Sequence, residues 1–271
     1  MTDNLNFHET FKPELQYISS IVSISDGVTW YTVKDISSLT GIPNGESSGK
    51  VRPHILYSDY MGLIRYEKKD QTYRLERTSL GKIVYEQDPG FQEKLTQLLC
   101  HLMLCRADKG ASMWNKVFVD IMPRYSCSIS KDILLLELNK LLDNKINKKN
   151  FAPFLVSYEE AFYDLNLINL NGDIVAANPH QYNNEYLYVY AYFIYVLWDA
   201  LYPDEDEITG NQFDSLNFGS YLNLDFKKSY EILEHLSDAG IIRLNRQLTP
   251  YTLLRLTTKE ELETRLYDNL I

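Results

Sequence analysis

The sequence predicts a mainly α protein with small β wings, an α+β chain in three parts, and three observations predict it. Residues 32–85 hold two short helical spacings, a glycine-bounded break and two β-like runs, in the order of a winged helix-turn-helix. Residues 91 to about 202 are dominated by apolar residues at helical intervals. Residues 213–257 repeat the opening order, with Met61-Gly-Leu-Ile64 echoed by Ala239-Gly-Ile-Ile242. The expected parts are an N-terminal winged unit (1–88), a helical middle (89–202) and a C-terminal winged-helix-like unit (208–271).

Leu15, Ile18, Ile21 and Val22 mark a first helix within Lys12–Ser25. Val33, Ile36 and Leu39 mark a second, broken by Gly41-Ile-Pro-Asn-Gly45. Ser47 or Ser48 can cap a third, with Val51, Ile55, Leu56 and Met61 along it and Gly62 at its end. Ile64-Arg-Tyr66 and Thr72-Tyr-Arg-Leu75 read as strands around the polar turn 67–71. Thr78–Tyr85 reads as a closing helix, ended by Asp88-Pro89-Gly90. In the middle, apolar spacing predicts helices around Leu95–Met103 and Ala111–Ile121, over Lys131–Leu142 with Ser130 as cap, and over Phe154–Leu167. Residues 143–150 read as a polar loop, residues 167–176 as a hairpin turning at Asn171-Gly172, and Tyr186–Leu201 as a buried aromatic helix. Pro203-Asp-Glu-Asp-Glu207 is the best linker candidate. Two helices (Phe213–Leu222, Phe226–Ala239) and two strands (Ile241–Leu244, Thr252–Leu256) then close the chain.

Composition narrows the function classes. The chain has 271 residues, 45% apolar and 24% charged, typical of a globular protein. No run approaches the roughly 18 apolar residues of a membrane span, and the start is polar, so a cytoplasmic protein without membrane contact is expected. Three cysteines make no disulfide framework. A net charge of −10 argues against a wholly electrostatic nucleic-acid binder. Between Lys50 and Lys82, however, eight basic residues (50, 52, 65, 68, 69, 74, 77, 82) stand against four acidic ones (59, 67, 70, 76), a local excess of four.

The second helix of a helix-turn-helix lies in a major groove. The expected DNA contacts are therefore Ser47, Ser48, Lys50, Arg52, His54 and Tyr57 on that helix, with Arg65, Lys68 and Lys69 in the wing. His54 and Tyr57 sit three apart and share a face, toward DNA or toward the wing. Gly45-Glu-Ser-Ser-Gly-Lys-Val51 fails as a phosphate loop, because Val51 stands where Ser or Thr is needed. The five histidines have no metal-ligand spacing, and no nucleophile elbow or nuclease cluster is legible. Phe7-His-Glu-Thr-Phe11 brackets three polar residues with aromatics: Phe7 and Phe11 can anchor the segment and Thr10 can cap the next helix, which favours a structural role, the rival being His8 and Glu9 left for a partner, for DNA or for each other.

His8-Glu-Thr-Phe11, the winged unit, Thr78-x-x-Gly81, Asp88-Pro89 and Leu95-Thr-Gln-Leu-Leu-Cys-His101, in that order, resemble domain-of-unknown-function family 4007. The resemblance spans residues 7–257 and is clearest before Lys140. It implies a DNA-binding or DNA-nicking subunit of a DNA phosphorothioation or antiphage defence system, working beside sulfur-transfer proteins. It carries over no catalytic residue. Glu14 stands near the place where the family tends to have a basic residue. No cofactor is expected, apart from Mg²⁺ or Mn²⁺ in the nicking version. Double-stranded DNA and other subunits of such a complex are the expected partners. The rival readings are a transcriptional regulator, which needs a homodimer on a palindrome, and a protein-interaction adaptor without DNA contact.

Overall fold

A computed structural model describes residues 5–45, 49–143, 145–247 and 249–270. It is a mixed α+β chain with three small antiparallel sheets. The first part runs α1 (Leu15–Ile24), β1 (Asp26–Thr32), α2 (Val33–Thr40), α3 (Val51–Tyr60), β2 (Ile64–Lys69), β3 (Thr72–Arg77) and α4 (Ser79–Gln87). The middle adds α5 (Lys94–Leu104), α6 (Ser112–Asn115), a π-helical turn at Lys116–Ile121, β4 (Ser128–Ser130), α7 (Lys131–Leu141), α8 (Lys148–Glu159), β5 (Ile168–Asn171), β6 (Ile174–Ala177) and α9 (Leu187–Leu201). The last part holds β7 (Glu207–Thr209), α10 (Gly210–Ser215), α11 (Phe226–Asp238), β8 (Ile242–Asn245), β9 (Thr252–Arg255) and α12 (Lys259–Thr264).

One pattern occurs three times: strand, helix, helix, hairpin, with the leading strand paired to the second hairpin strand. The strand orders are β1-β3-β2, β4-β6-β5 and β7-β9-β8. Each leading strand ends in the residue that caps the next helix. Thr32 accepts from the Asp35 N–H, Ser130 from Ile133 and Thr209 from Gln212. Each hairpin starts after a left-handed residue, Gly62 (φ 71°), Asn166 (φ 51°) or Gly240 (φ 70°). One residue later a carbonyl closes the hairpin: Leu63 accepts from Thr78 N, Leu167 from Asn178 N and Ile241 from Leu256 N.

The helical middle expected from the sequence is thus corrected: it carries a full copy of the pattern. Its hairpin was expected, but β4 was not, and neither were β1 and β7. The three-residue β4 and β7 are too short to show alternation, and β1 is exposed along most of its length. The helix expected at Phe154–Leu167 starts instead at Lys148, where Asn147 accepts from the Lys149 and Asn150 N–H groups. The expected linker at 203–207 is exposed to water, as an acidic run commonly is, but it is tied to the fold and runs into β7. Trp198 Nε1 donates to the Glu205 carbonyl at 2.7 Å, and the Glu207 carboxylate in β7 accepts from Thr252.

Two helices form the centre of the core. Every residue of α5 from Leu95 to Leu104 is buried, as is every residue of α9 from Leu187 to Trp198, the pattern of a helix covered on all sides. Polar tips on these helices reach the surrounding parts. His101 bridges the Tyr158 hydroxyl (3.0 Å) and the Tyr221 carbonyl (2.8 Å), and the Tyr195 hydroxyl donates to the Ile241 carbonyl (2.9 Å). Among the described residues, no helix is long and apolar enough to cross a membrane.

Candidate nucleic-acid interface

The second helix of the first pair, α3, is where the sequence places base and phosphate contacts. Ser47 and Ser48 lie outside the described residues. The helix begins at Val51 with Lys50 as its cap, and no side chain bonds that end. Its apolar spacing is as expected, but its exposure is not. Val51, Pro53, His54, Ile55, Tyr57 and Ser58 are all buried.

The cover comes from the N-terminal segment and from Trp114. Phe7 meets Tyr57 edge-on at 4.8 Å, and Trp114 meets the same ring at 6.1 Å. The Tyr57 hydroxyl donates to the Phe11 carbonyl at 3.0 Å. His54 Nε2 accepts from the Glu14 N–H at 3.1 Å, so its Nδ1, 2.7 Å from the Lys50 carbonyl, is the donor. Burial pushes His54 down to about 4 and holds it neutral; the Lys50 carbonyl and Glu14 oppose this more weakly. The expectation that His54 and Tyr57 face DNA is therefore corrected, since both are fully buried.

The cationic end of α3 is also occupied. Lys50 Nζ lies 2.6 Å from the Glu14 carboxylate and over the rings of Phe11 and Tyr17. Arg52 Nη1 lies 2.5 Å from Glu9. Lys50 is thereby held in a half-buried pocket, whereas the Arg52–Glu9 pair is open to water.

The N-terminal motif has a structural logic. Phe7 and His8 are buried, and His8 Nδ1 accepts from the Thr10 N–H at 3.1 Å. This bond closes a tight turn with Glu9 (φ 47°) and Thr10 (φ 73°) in the left-handed region. Burial pushes His8 down to about 4 against a weaker opposing effect of the Leu5 carbonyl. The helix after the motif starts at Leu15 with Glu14 as its uncapped N-cap, so Thr10 does not cap it. His8 and Glu9 are not free for a partner either: one is buried and the other holds Arg52.

The other residues that carry the family resemblance hold the fold. Thr78 accepts from the Gly81 N–H at 2.9 Å and donates to the Gly62 carbonyl at 2.6 Å. The Asp88 carboxylate accepts from the Gln92 and Glu93 N–H groups just before α5.

The hairpin keeps part of its expected charge available. Arg65, Lys68 and Lys69 are exposed, and none has a carboxylate within 4 Å among the described residues. Arg74 is paired to Glu67 at 2.5 Å and lies over Trp30, while Arg77 donates to the Val22 and Ser23 carbonyls. Asp59 belongs to this neighbourhood. Burial lifts its carboxyl to about 6, against the pull of Arg65 and Lys109. Among the described residues, no group of three His, Cys, Asp or Glu is placed to hold a metal ion.

No family model matches the chain, and no curated protein matches it. Two solved structures share its fold. One is a magnesium ion-bound SspB crystal structure, at TM-score 0.75 and 13% identity, covering 97% of this chain and 88% of that one. The other is an SspB crystal structure at TM-score 0.74 and 14% identity, with the same coverage. The alignment takes in nearly the whole chain, so the likeness is one of overall fold rather than of a single part.

Proposed function

We propose that this chain is a DNA-binding subunit of a DNA phosphorothioate-modification or related antiphage defence system, built on winged helix-turn-helix units. The observation that carries the reading is the solvent-facing cation set of the first hairpin, Arg65, Lys68 and Lys69, on a helix–helix–hairpin pattern within a chain of net charge −10. A wing contacts the DNA backbone, and lysines there neutralise phosphates without reading bases. The resemblance to family 4007 and the SspB-like fold support the system assigned; one of those SspB structures is bound to magnesium.

The contact surface is reassigned from the face of α3 to the wing. With Lys50 and Arg52 held by Glu14 and Glu9, binding rests on phosphate contacts and is weakly sequence-selective. Lys68→Ala with Lys69→Ala is expected to weaken duplex binding evenly across sequences and to lower the salt slope by about 2. Fluorescence anisotropy with two unrelated duplexes measures this. Unchanged affinity removes the wing from the interface. The nicking version is tested by incubating purified protein with supercoiled plasmid and Mg²⁺ or Mn²⁺, alone and with partner subunits. Intact plasmid throughout rejects it. The adaptor reading is favoured by one observation, the carboxylates seated on Lys50 and Arg52, and it predicts no shift of duplex DNA at low salt.

A further inference from the structure

In each of the three patterns the second helix opens with two basic residues: Lys50 and Arg52 at α3, Lys148 and Lys149 at α8, Lys227 and Lys228 at α11. Their fates differ. At α3, Lys50 is held half-buried by Glu14, and Arg52 forms an open pair with Glu9. Around α11, Lys227 faces Glu231 at 3.9 Å, and Glu234 already holds Arg246 at 2.7 Å, so acid and base alternate there.

At α8 the balance is positive. Lys145 from the preceding loop joins Lys148 and Lys149, and all three are exposed. Lys148 lies 3.0 Å from Asp132 in the first turn of α7. Lys145 lies 3.5 Å from Asp143. Lys149 has no carboxylate within 4 Å among the described residues. Both ion pairs are open to water: Lys148 and Asp132 are 80% and 72% exposed, Lys145 and Asp143 63% and 84%. Such pairs contribute little and exchange readily for another anion. The helix beneath is packed down, because Phe151, Phe154 and Tyr158 are buried, with the first two rings stacked and the third tilted against Phe154. Three exposed ammonium groups from a loop and a helix start, against two equally exposed carboxylates, therefore stand on a packed helix in an otherwise acidic chain.

We propose that this lysine cluster on the middle unit is a second nucleic-acid contact, which holds backbone phosphates of duplex DNA. The proposal rests on the DNA-binding reading above. Charge complementarity selects a polyanion, and the rigid helix start flanked by a hairpin favours a duplex backbone over an anionic lipid surface.

The test is a salt titration of duplex binding by the full chain, followed by anisotropy. The comparison set is the unaltered protein, the triple variant Lys145→Ala, Lys148→Ala, Lys149→Ala, the wing variant Lys68→Ala, Lys69→Ala, and the double variant Asp132→Asn, Asp143→Asn. Circular dichroism checks folding, and these exposed substitutions leave it intact. The triple variant is expected to lower the slope of log affinity against log salt by about 2 to 3. The Asp→Asn variant is expected to shift affinity the other way and bind more tightly. If the unaltered protein binds, the wing variant weakens binding and the triple variant keeps the full slope, the inference fails while the DNA-binding reading stands. If the unaltered protein shows no binding at low salt, both fall. Binding to phosphatidylserine vesicles that the triple variant loses, with duplex binding unchanged, also overturns it.

Discussion

Lowering the pH from about 7 toward about 4 is expected to remove a large part of this protein's stability. His8, His54, His101 and His180 are buried, and burial pushes each of them down to about 4. Their hydrogen bonds fit the neutral ring. His101 Nε2 faces the Tyr221 carbonyl and so donates, leaving Nδ1 to accept from the Tyr158 hydroxyl. In the unfolded chain a histidine titrates near 6.5. Between about 6.5 and 4 the unfolded chain therefore binds more protons than the folded one. The histidine contribution is complete above about 6.5 and is lost as pH falls toward 4. Each histidine weighs on the order of 3 kcal/mol at the acid limit. Four together rival the total stability of an ordinary domain, roughly 5–15 kcal/mol.

Asp59 works in the opposite sense. Its folded-state carboxyl sits at about 6, above the unfolded value, so the fold takes up that proton first and gains from acidification between about 6 and 4. One such group offsets about one of the four histidines. Differential scanning calorimetry across this window is expected to show the melting temperature falling steeply below about pH 6.5. His101→Gln, tested in parallel, should lower stability at neutral pH and flatten the pH dependence. A melting temperature that stays level down to about pH 5 would contradict the burial assigned to these rings.

The second large effect is expected at Gly81. This residue follows the Thr78 cap in α4, and its Cα lies against the Leu63 backbone. A methyl group there overlaps the Leu63 carbonyl, which is backbone and cannot swing aside as a side chain would. That carbonyl also accepts from Thr78 N and closes the hairpin. Gly81→Ala therefore sets α4 against the hairpin, and a destabilisation of about 3 kcal/mol or more is expected from a clash of this kind. Urea unfolding gives the number. Thr78→Ala, which removes one cap from the same junction, should cost about 1 kcal/mol. If Gly81→Ala costs no more than Thr78→Ala, the close approach is wrong.

Local chemistry was legible in the sequence wherever it acts within a few residues. Ser130 as a cap, the glycines at 62 and 240, the Asn171-Gly172 turn and the α2, α3 and α11 spacings all follow from neighbours in the chain. The middle copy of the pattern was obscured because Asn166 replaces glycine at the left-handed position and β4 has three residues. Leu165-Asn-Leu-Ile168, aligned with Met61-Gly-Leu-Ile64, is the signal that could have found it, since asparagine is the next residue to tolerate that conformation.

The site was less legible than the fold. The helix α3 could be read from apolar spacing, but its exposure depends on Phe7, Phe11, Glu14 and Trp114, which are distant in the chain. Lys50 and Arg52 looked free for the same reason, as Glu14 and Glu9 lie 36 and 43 positions away. The motif residues drew attention as candidates for chemistry, yet His8, Thr78, Gly81, Asp88 and His101 serve turns, caps and buried hydrogen bonds. Nothing in the spacing of residues distinguishes a functional histidine from one that closes a turn.

The most direct measurement is the salt dependence of duplex DNA binding by the unaltered chain near neutral pH. If cations on the first hairpin and the start of α8 meet phosphates, log affinity falls linearly with log salt at about −0.9 per phosphate, a slope between about −2 and −6. No binding at about 50 mM salt, or binding whose slope is flat, would contradict the account.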